Sequence, residues 1–128
     1  MISVKPIAAL CGMFALFLPT PVLAEWVEVA WDNDYSTSVE TSSMIRDGNI
    51  VEFWDKTFSA VPNSQGATTA LYRKNIDCRT GAYVLLRGVG YRGKHFLFDM
   101  SVPTNQMVVK SPPAPGTAGY AIYKFVCR

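Results

Sequence analysis

Few residues in this chain could do chemistry. Cys78 lies in the stretch Lys74-Asn75-Ile76-Asp77-Cys78-Arg79-Thr80-Gly81-Ala82-Tyr83, Cys127 sits beside the last residue, and His95 is the only histidine. A nucleophilic cysteine needs a base that makes the thiolate, and a structural zinc site needs four ligands at spacings such as CxxC. With one histidine and no CxxC, neither chemistry has its partners. Two cysteines in an exported chain favour one disulfide instead. Such a bridge closes a loop of about 50 residues and stabilises by roughly 4 kcal/mol in the chain-entropy account. No metal, cofactor or enzymatic activity is expected.

The disulfide reading depends on export, and the N-terminus argues for it. Lys5 precedes an apolar run from Ile7 to Leu18, then Pro19 to Pro21 break any helix ahead of Val22-Leu23-Ala24. This pattern reads as a signal peptide over residues 1–24, cleaved after the small residue Ala24. The run falls short of the ~20 residues that a spanning helix needs, so no transmembrane segment is expected. Cys11 in the apolar run raises the alternative of a lipoprotein signal, but Leu10 stands where a lipobox wants a small residue. Cleavage removes Cys11 and leaves one domain, residues 25–128, small enough to benefit from a covalent staple.

Strands must position these residues. Trp26 to Trp31 is rich in strand formers and ends at the turn cluster Asp32-Asn33-Asp34. Tyr35 to Ile45 and Ile50 to Trp54 flank the tight-turn signal Arg46-Asp47-Gly48-Asn49, which predicts a hairpin. Ala67 to Asp77, Ala82 to Leu86 and His95 to Met100 continue the pattern, with Thr80-Gly81 and Arg92-Gly93 as turns. The expectation is an antiparallel meander of about six strands. Gly88-Val89-Gly90-Tyr91-Arg92-Gly93 imitates GxGxxG but opens no helix, and reads as a hairpin loop. Asp32 to Ser36 begins like a calcium loop yet lacks the Gly and Glu of that motif. His95 reads as a hydrogen-bonded strand histidine, and Trp26, Trp31 and Trp54 as core, any exposed one being a candidate anchor. At the C-terminus, Gly119 to Val126 has strand propensity, while Thr117 could cap a helix.

Charge is divided along the chain. Residues 25–72 hold eight acids and two bases, and residues 73–128 hold nine bases and two acids. Cross-strand pairing explains such a split. The functional reading is a basic surface of Arg73, Lys74, Arg79, Arg87, Arg92 and Lys94, with Tyr91 among them, that attracts acidic matrix proteins, glycosaminoglycans or lipid headgroups. A net charge near +1 after cleavage argues against nucleic acid.

Ile76-Asp77-Cys78 after a strand, a second cysteine at the extreme C-terminus, Pro115-Gly116-Thr117 ahead of it, and a Trp-x-x-Val strand directly after a signal peptide together resemble the surface-adhesin protein E family of Gram-negative bacteria. The resemblance covers the whole mature chain. It implies an α+β fold, an antiparallel sheet with one short C-terminal helix opened by Pro-Gly-Thr, and a disulfide joining Cys78 to Cys127. It also implies an adhesin-like protein at the cell surface, secreted or periplasmic, that binds an extracellular host protein. The alternative is a periplasmic structural or inhibitory protein with a partner in the bacterial envelope. An unprotected edge strand could pair two copies.

Overall fold

The computed structural model describes residues 23–128. The signal-peptide expectation therefore falls almost wholly outside the described residues; of its span, Leu23 and Ala24 are exposed and carry no regular structure. Six strands follow one another as an antiparallel meander: β1 (Trp26–Asp32), β2 (Tyr35–Asp47), β3 (Ile50–Ser59), β4 (Thr69–Asp77), β5 (Tyr83–Arg92) and β6 (His95–Ser101). A two-residue strand, β7 (Val109–Lys110), pairs with Tyr83 and Val84 beside β6. One helix, α1 (Ala118–Val126), ends the chain.

Turn chemistry sets the meander. The β2–β3 and β5–β6 hairpins turn on Gly48-Asn49 and Gly93-Lys94, with each glycine at the first position and at φ of 60° and 59°, a region that a side chain disfavours. Between β1 and β2, the Asp34 N–H donates to Asp32 Oδ1 at 2.9 Å, so the acidic cluster is a turn.

Alternation then separates two faces. Val39, Val51, Phe53 and Ile76 point to one side, where Ile122 and Val126, one helical turn apart, close over them as the core. The helix lies against β1, β2 and β3. It forms despite its strand-like composition because both ends are tied. Thr117 Oγ1 accepts from the Tyr120 N–H at 3.2 Å as the N-cap. At the other end Cys127 is bonded to Cys78, Arg46 Nη2 donates to the Val126 carbonyl at 2.8 Å, and Tyr123 Oη donates to the Cys78 carbonyl at 3.2 Å. The Arg46 cation also meets the negative end of the helix dipole.

Two expectations are corrected. Gly88 and Gly90 belong to the interior of β5, not to a loop. Both face the helix side; a Cβ on Gly90 would stand 2.3 Å from Phe98 Cε1, so that ring occupies the space a side chain would take, whereas a Cβ on Gly88 would touch the Tyr72 ring at 3.4 Å. The tryptophans are not core residues. Trp31 is 70% exposed, and Trp26 and Trp54 lie half-buried on the face away from the helix. The core is built from smaller side chains plus Phe53.

Candidate binding surface on the open face of the sheet

Because α1 covers one face only, the other face carries its side chains outward. Strand register arranges them in rows. Trp26, Glu40, Trp54, Arg73 and Arg87 form one row across β1 to β5. Lys56, Leu71, Val89 and Asp99 form the next. Trp31, Phe58, Tyr91 and Phe96 belong to a third; Tyr91 and Phe96 meet edge to face at 5.8 Å. Trp26, Trp54, Leu71, Val89 and Tyr91, with Glu40, Arg87 and Asp99 among them, line an open groove of about 450 Å³.

Cations cap the indoles of this groove. Lys56 Nζ lies 4.4 Å from the Trp26 ring centroid, and the Arg87 guanidinium lies 5.8 Å from that of Trp54. Arg73 and Arg87 are direct cross-strand neighbours, an unfavourable pairing that separate carboxylates relieve. Arg73 pairs with Glu52. Arg87 grips Asp99 with two bonds, Nε to Oδ1 at 2.8 Å and Nη2 to Oδ2 at 2.5 Å. That bidentate contact draws the Asp99 carboxyl below its usual range and raises Arg87.

The structure does not gather the seven sequence-predicted residues on one surface. Arg73, Arg87 and Tyr91 share the open face. Arg92 ends β5 beside the Gly93-Lys94 turn, so Arg92 and Lys94 sit at one edge of that face. Arg79 lies in the β4–β5 turn, 3.9 Å from Asp77. Lys74, next to Arg73 in the strand, points to the helix side, where its Nζ stands 2.7 Å from the buried Asp55 Oδ2. It lines a cleft of about 290 Å³ beneath α1, with Phe53, Tyr83 and Ile122. His95 is exposed at the start of β6. Cross-strand pairing thus accounts for Arg73 and Lys74, each matched to an acid of the first half of the chain.

Glu40 is the residue that sequence reasoning missed. Between Glu40 and Ile45 the register of β2 shifts against β3, and residues 41–44 bulge out. The Glu40 carboxylate, inside that bulge, accepts from the Ser42 N–H at 3.0 Å, the Ser43 N–H at 2.9 Å and both serine hydroxyls. A further donor is the Glu25 N–H, at 2.8 Å. Burial pushes the carboxyl up, but the combined hydrogen bonds outweigh it and hold the pKa at about 2, against an ordinary 4.5. The available signal was Glu-Thr-Ser-Ser, an acid followed by three hydroxyl residues inside a strand.

Comparison with known proteins decides the lineage. The profile described as Surface-adhesin protein E matches residues 26–128. The chain belongs to this family. No curated protein matches it. Among solved structures, Haemophilus influenzae protein E in crystal form II superposes with a TM-score of 0.58 at 18% identity, covering 85% of this chain and 91% of that one. Another structure of Haemophilus influenzae protein E gives 0.55 at 18% identity, with 85% and 88% covered. Protein E from non-typeable Haemophilus influenzae gives 0.52 at 17% identity, with 85% and 79% covered. At these identities the likeness is one of fold. In this chain that fold is the meander with its C-terminal helix, closed by the Cys78–Cys127 bridge.

Proposed function

We propose that residues 1–24 are a cleaved export signal and that residues 25–128 form an adhesin-like binding module, engaging host extracellular-matrix or serum proteins through the open face of the sheet. Membership of the surface-adhesin protein E family supports the general activity. The observation that carries the site is the groove of Trp26, Trp54, Leu71, Val89 and Tyr91 bordered by Arg87 and Asp99. Aromatic anchors flanked by arginine are the side chains that dominate protein interfaces. Arg73, Arg87 and Tyr91 contact the partner in this reading, with Arg92 and Lys94 steering it from the edge.

Protease shaving of intact cells, with a periplasmic protein as leakage control, tests exposure. Cleavage while the control survives supports the adhesin reading. Survival of a protein that is protease-sensitive once purified replaces that reading with a periplasmic partner. Binding to immobilised matrix and serum proteins then tests the face. Trp54→Ala and Arg87→Ala are each expected to weaken it about tenfold or more, equivalent to about 1.4 kcal/mol. Unchanged binding by both folded variants sinks the proposed site.

A further inference from the structure

We propose that Glu40 is a receptor for the α-ammonium group of the chain's own mature N-terminus, at Glu25. The inference rests on the export reading above, because the group exists only after cleavage between Ala24 and Glu25. Hydrolysis there adds water across the peptide bond: the Ala24 carbonyl carbon gains the hydroxyl oxygen as a carboxylate, and the Glu25 nitrogen, released from the amide, becomes an ammonium. An export signal peptidase supplies the catalysis.

The site is already shaped around this position. Glu25 N lies 2.8 Å from Glu40 Oε1, while the Glu25 carbonyl accepts from the Thr41 N–H at 2.8 Å and from Thr41 Oγ1 at 3.3 Å. Residue 25 is thus held at both ends by one bulge. Glu40 itself is only 5% exposed, and its other partners, Ser42 and Ser43, are neutral. A nearly covered carboxylate with neutral donors gains most from a cation. Leu23 and Ala24 lie outside, exposed and without regular structure, and β1 begins at Trp26. Regular structure therefore starts one residue after Glu25, the first residue that cleavage is expected to leave.

Two consequences follow. The charge pair is absent in the precursor, whose residue 25 offers an amide, so the fold tightens only after the leader is gone. Trp26 follows Glu25 directly and lines the open-face groove beside Glu40, so docking the N-terminus also fixes one wall of the candidate binding surface.

Mass spectrometry of the protein recovered from the bacterial envelope comes first. The expected chain begins at Glu25; a chain that begins elsewhere overturns both the cleavage boundary and this proposal. Purified protein beginning at Glu25 is then compared with its Nα-acetylated form, each with and without Glu40→Gln. Acetylation leaves Glu40 and the fold's contacts intact but removes the charge. It is expected to lower Tm by about 4 °C or more in the parent and to do little in the Glu40→Gln background. The α-amino pKa, followed by NMR on 15N-labelled protein, is expected above the ordinary value of about 8 and back at that value in Glu40→Gln. A chain beginning at Glu25 with an ordinary α-amino pKa and no response to acetylation overturns the receptor and leaves the export reading standing.

Discussion

Asp55 and Lys74 show how a residue's role depends on what lies opposite it. Asp55 is 1% exposed, and burial raises its carboxyl pKa while Lys74 pulls it down. The Lys74 ammonium stands 2.7 Å from Asp55 Oδ2, and its charge is the main influence that draws the carboxyl back down. The Tyr72 and Tyr83 rings flank it, with centroids 5.4 and 5.5 Å from Nζ. Lys74→Met should destabilise by about 3–5 kcal/mol at neutral pH, because it leaves a buried carboxylate alone. A carboxyl whose folded pKa lies above its unfolded one gains stability as pH falls through the folded value. The deficit of Lys74→Met should therefore shrink on acidification, and Asp55→Leu with Lys74→Met should stand close to the parent. Urea denaturation at neutral and acid pH reads all three. In the sequence both residues look like solvent-facing strand charges. The β3–β4 register, which pairs Phe53 with Lys74 and Asp55 with Tyr72, puts them together inside.

At the scale of elements, the strands and their turns were legible and the helix was legible only through resemblance. Apolar alternation bounded by Gly48 and Gly93 predicts the hairpins because turn geometry is local. Gly119 to Val126 carries Tyr, Ile, Phe and Val, and its own propensity says strand. Its helical state comes from the Thr117 cap and from docking at Cys127, Arg46 and Tyr123. Replacing both Cys78 and Cys127 by alanine should cost about 4 kcal/mol, and Thr117→Ala about 1 kcal/mol. Chemical denaturation measures both, with hydrogen exchange in α1 expected to rise more than in β3. An unchanged denaturation midpoint in the double alanine variant would show that noncovalent packing alone holds the helix. Gly88 and Gly90 misled as a loop motif because a strand glycine and a loop glycine look alike until the ring that covers it is known.

For the whole molecule, acid stability sums these groups with opposite signs. Glu40, held at about 2 against 4.5, contributes stability that is complete above its unfolded pKa and is lost as pH falls from about 4.5 toward 2. Asp99, also lowered, acts in the same direction, and Asp55, raised, acts against both. Thermal melts should show a falling acid limb in that window, and Glu40→Gln should be less stable at neutral pH with a flatter limb. A limb as steep in Glu40→Gln as in the parent would assign the loss to other carboxylates. By itself the sequence determined most of the strands, the hairpin turns, the pairing of Cys78 with Cys127, and the family, because these depend on local pattern, residue count and shared motif. Tertiary structure alone decided that the tryptophans face outward, that Lys74 meets Asp55 on the helix side of the sheet, and that Glu40 reaches back to Glu25. Those outcomes follow from bulges that shift register and from the single helix covering one face of the sheet, and neither is encoded within a short window of residues.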